Sequence, residues 1–377
     1  MCILSIDYGK KIMKCVIFCG PFGKGGRFVG GGESGNLKTL KLLEDGGYRV
    51  KLVEKPYPKG SRLIKPLLYI LQMLAYIFRF FYALVSSSKE DTVHITGFYG
   101  HLIYLEWVFV SIGRLFSRKV VYELRAGGAD DFYHDGSKLY RLFFKATILK
   151  ADIVLCQGKE YQTFLKKYFN KASVYYPNYM EYKSFEKFAS KVLAVNKNDV
   201  IKLVYFGRLV SSKNVENVIE IASLVKKSGL EVELCLIGPC ENDYQQKLKK
   251  KVSTLNLMGN VEFTGKQSSE ALFSILETSH FFVFPTKEKR EGHSNSLTEA
   301  MACGVVPIVS DCGFNRSVVG SDEFVINGID NQAFAEKILA VWQQENWRQL
   351  SELVRSRVEN NYLDTAVKDR LLKAHIN

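Results

Sequence analysis

The part of the sequence that most constrains the fold is a strand–loop–helix–strand pattern over residues 281–313. Its first run, Phe281–Pro285, is short, apolar and closed by a proline, which is typical of a buried strand. Ser294 or Asn295 can cap the helix that follows, and a second apolar run, Val305–Ser310, comes after that helix. In an open parallel sheet, the loops at the carboxyl ends of the strands line the ligand crevice. We therefore expect the loop before this helix to line such a crevice.

Two glutamates mark this loop and its helix. Glu291 lies in the loop, and Glu299 lies about one turn inside the helix. The free N–H groups at a helix start favour an anion such as a diphosphate. A carboxylate beside that anion is suited instead to accept hydrogen bonds from sugar hydroxyls. Together these groups describe a site for a nucleotide sugar, although an ordinary β–α–β unit with two solvated glutamates is the simpler alternative.

The segment EGHSNSLTEAMACGVVPIVSD, which contains both glutamates, resembles the signature of family 4 glycosyltransferases. The resemblance implies the GT-B fold, an α/β protein with two Rossmann-like, doubly wound domains that face a central cleft. It also implies a retaining hexosyltransferase that uses a nucleotide sugar and a glycan or lipid-linked acceptor. In that family Glu291 would hold the donor sugar and Glu299 the ribose. The other substrate-binding residues that it implies here are Gly292, His293, Ser294, Asn295, Ser296 and Leu297.

A second loop carries two cations. Gly207 follows a predicted strand, Ile201–Phe206, and Arg208 and Lys213 come before an amphipathic helix. Two cations at a helix start suit a diphosphate, although two solvated basic side chains are the simpler alternative. The segment GRLVSSK resembles the diphosphate clamp of family 4. The resemblance therefore implies catalytic roles for Arg208, Lys213 and Glu291, and it implies no metal or other cofactor.

The chain opens with the β–loop–α–β order of a doubly wound domain. A strand over Cys15–Cys19 is followed by a glycine-rich stretch and by a helix predicted over Leu37–Leu43. Glycines let a backbone approach a ligand closely, but a flexible surface turn is an equal alternative. Gly31 and Gly32, followed by Glu33, are similar to the GG-acid turn of family 4 N-terminal domains. That similarity implies substrate-binding roles for both glycines.

Two further loops follow predicted strands and are expected to line the crevice. His94 lies inside the first strand, and we expect it to be a satisfied core histidine. His101 lies after that strand and could bind a ligand, carry a proton or cap the next helix. Arg125 follows the next strand, and with Glu123 it could grip an acceptor phosphate or form a structural ion pair. The family often carries a histidine near these strand ends, and its absence leaves the acceptor-side catalytic residues open.

Residues 63–85 are almost entirely apolar and nearly long enough to span a membrane. Lys65, Gln72 and Arg79 recur every seven residues, which gives one thin polar stripe on the helix. Arg79 at mid-span would be costly in lipid. We therefore favour a nearly buried helix packed on the sheet. The alternative is a surface on which basic and aromatic residues meet a membrane, as an enzyme with a lipid-linked acceptor would need.

The net charge of +13 fits three partners: nucleic acid, an anionic lipid surface or a phosphorylated substrate. The sequence has no nucleic-acid-binding motif, so nucleic acid is not expected. The eight cysteines show no metal spacing, and we interpret them as reduced core residues. The first twelve residues lack a signal-cleavage site, and Met13 is an alternative start. We expect a cytoplasmic protein, and peripheral contact with an anionic membrane on the inner face stays open.

The 377 residues are enough for two or three domains. We expect an acceptor-binding domain over 1–178, a nucleotide-sugar domain over 179–345, and a segment, 346–377, that crosses back. Two amphipathic helices are predicted near the end of the chain, at 331–345 and 347–372. Family frequency favours a UDP-sugar over GDP-mannose, and capsule, lipopolysaccharide or exopolysaccharide assembly as the setting. Two alternatives keep the fold: a non-catalytic scaffold that binds a nucleotide sugar or glycan, and a nucleotide-sugar epimerase.

Overall fold

The structure is a computed structural model that describes residues 14–23, 31–57, 65–97, 100–188, 200–344 and 346–376. The alternative start at Met13 and the middle of the glycine-rich stretch lie outside the described residues. The side chain of Lys65, one of the three polar residues predicted to form a stripe, also lies outside them.

The first sheet has six strands, which are β1 (Cys15–Gly20), β2 (Arg49–Glu54), β3 (Thr92–Gly97), β4 (Lys119–Leu124), β5 (Ile153–Cys156) and β6 (Val174–Tyr175). Their order across the sheet is β2-β1-β3-β4-β5-β6. β1 pairs in parallel with both β2 and β3, so the strand order reverses at β1. Such a reversal is the point at which open α/β sheets form a ligand crevice. The helices that come before residue 200 along the chain are α1 (Gly31–Asp45), α2 (Lys65–Val85), α3 (Ile103–Leu115), α4 (Ala129–Asp135), α5 (Lys138–Lys150), α6 (Lys159–Phe169) and α7 (Tyr182–Phe188).

The second sheet also has six strands, which are β7 (Ile201–Phe206), β8 (Val232–Ile237), β9 (Val261–Gly265), β10 (Phe281–Phe284), β11 (Val306–Ser310) and β12 (Val325–Ile326). Their order is β12-β11-β10-β7-β8-β9, with the reversal at β7. The helices are α8 (Val215–Lys227), α9 (Asn242–Thr254), α10 (Ser269–Leu276), α11 (Asn295–Ala302), α12 (Asn315–Val319), α13 (Asn331–Gln343), α14 (Trp347–Asn361) and α15 (Asp364–His375). The predicted doubly wound α/β architecture is thus confirmed in both parts of the chain.

Interior strands of both sheets, such as β1 and β10, are buried because apolar side chains point from both of their faces. All six residues of β1 and all four of β10 are buried, including Phe18 and Phe281, which are fully enclosed. These strands are the short continuous apolar runs of the sequence. Their carboxyl ends therefore fix where the following loops begin.

The chain divides into two compact units. The first contains residues 1–125, 135–155 and 371–377, and the second contains residues 126–134 and 156–370. The last residues of α15 thus belong to the first unit. The predicted domain boundaries after residues 178 and 345 stay predictions.

Three predicted helices differ from those observed. α1 begins at Gly31 and not at Leu37, because the N–H groups of a first helical turn need no partner inside the helix and glycine is tolerated there. The helix predicted over 347–372 is two helices, α14 and α15. Between them, Tyr362 O accepts from Met180 N–H at 2.8 Å, and Met180 O accepts from Asp364 N–H at 2.9 Å. This backbone bridge uses groups that a continuous helix would have bonded internally.

The third difference concerns α2, for which the favoured prediction of a nearly buried helix is wrong. The stretch Leu67–Val85 is long and apolar enough to cross a membrane, and only 22% of its apolar window is buried. One face of α2 packs on the first unit, and the other is exposed. Sequence periodicity could not show this, because apolar residues occupy both faces of the helix.

Candidate functional site

The predicted donor loop joins β10 to α11 and carries Glu291. The Lys213 ammonium contacts the Glu291 carboxylate, and these side chains are 15% and 11% exposed. Lys213 Nζ also lies 5.8 Å from the centre of the Phe284 ring. Keeping two charges largely out of water is costly unless each is paired, so the contact satisfies both. The structure thus joins a cation and a carboxylate that lie 78 residues apart in sequence.

A short 3-10 turn, Ser211–Lys213, positions this cation. Asn214 follows the turn with a left-handed φ of 59°, which asparagine tolerates better than most residues. Its side-chain amide donates to the Pro285 carbonyl at 3.1 Å. β7 and β10 are paired neighbours, so the loops at their carboxyl ends meet. The bond from Asn214 therefore fixes the turn against the end of β10.

The start of α11 is capped as the sequence predicts. Ser294 is the N-cap, and its hydroxyl accepts from the Leu297 N–H at 3.5 Å. Asn295 is the first helical residue. His293 is buried just before the helix, with Nε2 2.7 Å from Thr298 Oγ1. The cap and this contact hold the first turn, whose remaining N–H groups can receive an anion.

The other residues predicted on this loop and helix differ in burial. Gly292, Asn295, Ser296 and Glu299 are half-buried, whereas Leu297 is fully buried in the core. Four of these five residues therefore keep part of their surface open to solvent. Leu297 can contribute to binding only through its backbone.

Gly207 and Arg208 follow β7, as predicted. A side chain at Gly238 would start 1.8 Å from the Gly207 carbonyl oxygen, so the loops after β7 and β8 meet backbone to backbone. Arg208 is exposed, and its carbonyl accepts from the Tyr205 hydroxyl at 3.2 Å. Burial, and then the charge of Glu291, raise the pKa of Tyr205. Tyr205 therefore remains a neutral hydroxyl beside the site.

The loop after β4, which was expected to line the crevice, leads into residues 126–134, and this segment packs on the donor loop, a contact that was not predicted. A side chain at Gly127 would start 2.6 Å from the Glu291 carbonyl oxygen, and one at Gly313 would start 2.0 Å from it. Backbone therefore approaches Glu291 from two directions, and only glycine allows this closeness. The signal available in the sequence was the double glycine at the start of this segment.

A chain of hydrogen bonds ties the same segment to His293, just before α11. Ala126 N–H donates to Gln157 Oε1 at 3.1 Å, and Gln157 Nε2 donates to Asn178 Oδ1 at 2.7 Å. Asn178 Nδ2 then donates to the His293 carbonyl at 2.7 Å. Sequence reasoning missed Gln157 and Asn178 because isolated amides carry no motif.

In the first unit, Arg125 is buried against two partners. Its NH2 group lies 2.7 Å from Glu123 Oε1 and donates to Thr39 Oγ1 at 2.8 Å. Burial raises the pKa of Glu123, but the Arg125 charge and a hydrogen bond from His94 outweigh it and lower that pKa overall. The structural ion pair is thus present, and an acceptor-phosphate role for Arg125 stays a prediction. His94 is confirmed as a satisfied core histidine, with Nε2 2.9 Å from Glu123.

The remaining predicted residues of the first unit are His101, Gly31 and Gly32. His101 is exposed in a turn, and the N-cap of α3 is Leu102, so His101 does not cap that helix. Gly31 and Gly32 form the first residues of α1 and not a turn before it. A side chain added at Gly31 would meet no atom within 4 Å among the described residues. Substrate-binding roles for these three residues stay predictions.

The described residues contain neither a metal-ligand cluster nor a disulfide. In the part of the chain that the structure describes, no group of three or more His, Cys, Asp or Glu side chains could hold a metal ion. The described cysteines are free thiols, and burial raises the pKa of Cys156 to about 12. Such a thiol is protonated at neutral pH and unreactive.

The chain matches a known family and curated relatives. Residues 185–362 match the family model described as glycosyl transferases group 1. An uncharacterized glycosyltransferase of Methanocaldococcus jannaschii is 27% identical over 66% of this chain and 63% of the relative. The capsular polysaccharide biosynthesis glycosyltransferase CapM of Staphylococcus aureus is 29% identical over 46% of this chain and 45% of the relative. The chain thus spans less than two thirds of the length of these relatives.

Solved structures match in fold over nearly the whole chain. A glycosyltransferase of Rickettsia africae matches with a TM-score of 0.73 and 14% identity, over 97% of this chain and 98% of its own. Sucrose-phosphate synthase of Thermosynechococcus elongatus matches with a TM-score of 0.71 and 17% identity, over 96% and 98%. Anabaena HepE in complex with UDP matches with a TM-score of 0.68 and 14% identity, over 96% and 99%. At these identities the matches show the fold alone.

The sequence and fold comparisons agree with the residues that carried the resemblance. Arg208, Lys213, Glu291 and Glu299 all lie within the matched residues 185–362. Residues 185–362 therefore resemble the group 1 glycosyl transferases in sequence, and the chain shares the two-sheet α/β fold of the solved glycosyltransferase of Rickettsia africae.

Proposed function

We propose that this chain is a retaining hexosyltransferase that moves a sugar from a nucleotide sugar to a glycan or lipid-linked acceptor. The observation that carries this proposal is the contact between Lys213 and Glu291, just before the capped start of α11. A nucleotide sugar presents its phosphates and its sugar hydroxyls side by side. A cation paired with a carboxylate matches that arrangement.

Each residue has one role in this proposal. Arg208, Lys213 and the first-turn amides of α11 bind the diphosphate. Negative charge grows on that diphosphate as it leaves, so these groups stabilise the transition state more than the ground state. Glu291 accepts hydrogen bonds from the donor sugar, and Glu299 accepts them from the ribose. The reaction needs no metal ion, because Arg208 and Lys213 supply the positive charge.

The names of the relatives support the setting that we propose. One relative is a capsular polysaccharide biosynthesis glycosyltransferase. Another, from Xanthomonas campestris, is named as a GDP-mannose:cellobiosyl-diphosphopolyprenol alpha-mannosyltransferase and is 27% identical over 38% of this chain. We propose surface polysaccharide assembly on the cytoplasmic side of a membrane, with a polyprenyl-diphosphate-linked acceptor. A UDP-sugar remains our first candidate donor, and GDP-mannose is the second.

Thermal unfolding with UDP, GDP or ATP tests the donor site, with EDTA present throughout. A nucleotide at about a hundred times its Kd stabilises a protein by about 2.7 kcal/mol, which raises Tm by several degrees at most for a chain of this length. We expect a shift with UDP or GDP and none with ATP. An equal shift with all three, or no shift, would contradict a nucleotide-sugar site.

Product analysis with the matching nucleotide sugar then tests the reaction. A transferase releases the free nucleoside diphosphate in step with glycosylated acceptor, in the presence of EDTA. Binding without any turnover would favour the scaffold alternative. An epimerised sugar with no glycosylated acceptor would favour the epimerase.

A further inference from the structure

The exposed face of α2 is a continuous apolar stripe in the first unit. Leu74 is 58% exposed, Phe78 is 70% exposed and Tyr82 is 64% exposed. These residues recur every four positions, so they lie on one side of the helix. Monomeric soluble proteins rarely expose an apolar surface of this length without a partner. The other exposed apolar residues of α2 are Leu67, Tyr69, Ile70, Leu71, Phe81 and Val85.

The opposite face of α2 packs into the core of the first unit. Tyr76, Phe80 and Leu84 are buried on that face. The Phe80 ring stacks on Phe109 of α3, with ring centres 4.6 Å apart. A helix that crosses a membrane would have to give up these contacts and would expose to water the apolar side chains that it covers, such as Phe109. α2 is therefore held on the unit and presents only its outer face.

In the sequence, the charged residues within α2 and next to it are all positive. The sequence has no Asp or Glu between Glu54 and Glu90, whereas the same interval holds six Lys and Arg residues. Arg79 is exposed on α2 itself. Lys51 Nζ lies 5.5 Å from the centre of the Tyr82 ring, at the edge of the stripe. Apolar and aromatic side chains bordered by cations fit a surface that is apolar inside and negative outside.

The stripe continues beyond α2. The rings of Phe81 and Phe116 meet edge to face, with centres 5.4 Å apart. Leu115, next to Phe116, is 80% exposed. The end of α3 therefore widens the apolar surface, so the contact area is broader than a single helix.

We propose that this face docks on an anionic lipid bilayer, with α2 lying in the interface along the membrane surface and not across it. This proposal deepens the proposed function and rests on it in one respect, because a polyprenyl-linked acceptor is held in such a bilayer. An anionic bilayer fits better than a second copy of this chain. Two copies meeting through this face would bring Arg79 and its neighbouring cations together, which is unfavourable.

Vesicle co-sedimentation of the purified full chain tests the proposal. The vesicles contain phosphatidylcholine alone, or phosphatidylcholine with phosphatidylglycerol, and no nucleotide or acceptor is added. We expect binding to the anionic vesicles, with weaker binding to the neutral ones and weaker binding at high salt. The double variant Leu74→Ser/Phe78→Ser should bind roughly 100-fold more weakly, because two large apolar side chains no longer enter the lipid.

A matched control removes two exposed apolar residues from elsewhere. Met258 is 74% exposed and Leu353 is 49% exposed, and neither lies on α2. The variant Met258→Ser/Leu353→Ser should bind vesicles as the wild type does. Both double variants should keep the wild-type Tm and the wild-type response to UDP or GDP. Vesicle binding thus reports on this surface, and the nucleotide response reports on the proposed function.

Three outcomes would overturn the proposal. One is the absence of vesicle binding, and another is equal binding by the wild type and the α2 variant. The third is a dimer in analytical ultracentrifugation that the α2 variant converts to a monomer, without any vesicle binding. The last result would assign the face to a second copy of this chain.

Discussion

At the scale of single residues, the Lys213–Glu291 contact joins two loops that the sequence presents as separate motifs. The contact exists because β7 and β10 are neighbours in the sheet, although two strands and three helices separate them along the chain. Two glycines, Gly127 and Gly313, then let backbone approach Glu291 closely. The loop that we assign to the donor sugar is therefore set by backbone packing as much as by its own side chains.

Replacing either cation by alanine should slow sugar transfer without unfolding the protein. Arg208→Ala and Lys213→Ala should each lower kcat by roughly 10²–10³-fold, the loss expected when one donor to a developing oxyanion is removed. Initial rates of nucleoside diphosphate release measure this effect. Lys249 is exposed on α9, so Lys249→Ala is the matched control and should turn over as the wild type does. Wild-type rates in both Arg208→Ala and Lys213→Ala would contradict the role of these two cations in binding the diphosphate.

At the scale of elements, the end of α15 closes a buried polar chain in the first unit. His375 Nδ1 lies 2.7 Å from Thr92 Oγ1, and His375 Nε2 lies 3.1 Å from His94 Nδ1. His94 contacts Glu123, which pairs with Arg125. One assignment of protons satisfies the whole chain with both histidines neutral: each His donates from Nε2, and the Thr92 hydroxyl donates to His375. The C-terminal helix thus supplies the last partner of a network that ends at the loop after β4.

This network predicts that the protein loses stability in mild acid. Burial first, and then the nearby His94 and Lys119, lower the pKa of His375 well below its usual value of 6.5. Below about pH 6.5 the unfolded chain binds a proton that the folded chain does not, so the free energy of unfolding falls as the pH falls. From pH 7.5 to 5.5 the loss from one such histidine is up to about 1 kcal/mol.

Urea unfolding at the two pH values measures this loss. The variant His375→Gln removes the titrating group, so its urea midpoint should depend less on pH than that of the wild type. The exposed His101 serves as the control, and His101→Gln should keep the wild-type dependence. An unchanged pH dependence in His375→Gln would count against a buried neutral histidine.

At the scale of the whole molecule, the chain builds two parallel sheets, and the strand order of each reverses once, at β1 in the first and at β7 in the second. The final residues of the chain, from Leu371 onward, belong to the unit that the first residues build. Leu371 and His375 are fully buried there, and Leu372 lies against Gly46. The end of α15 is therefore part of the core of the first unit.

Deleting residues 371–377 should destabilise the first unit. The deletion removes the fully buried Leu371 and the hydrogen bonds of His375, which should cost roughly 3–5 kcal/mol in unfolding free energy. Urea unfolding followed by circular dichroism measures it. A chain that lacks only Ile376 and Asn377 is the control and should lose far less. Equal midpoints for the two truncated chains would contradict a structural role for this segment.

The sequence by itself determined the buried strands, the cap of α11 and the motifs of the donor loop. These are local properties: a run such as Val306–Ser310 is apolar over its whole length, and Ser294 caps the helix that begins beside it. They therefore appear as patterns within a few residues. The resemblance carried by Glu291, Glu299, Arg208 and Lys213 is of the same local kind.

Only the tertiary structure decided which of these local features meet. It paired Lys213 with Glu291 and His94 with His375, because strand order and helix packing bring distant residues together. It also decided that α2 is covered on one face only, which the apolar composition of both faces concealed. Local patterns report what a segment can bury, whereas the remainder of the fold determines what is available to cover it.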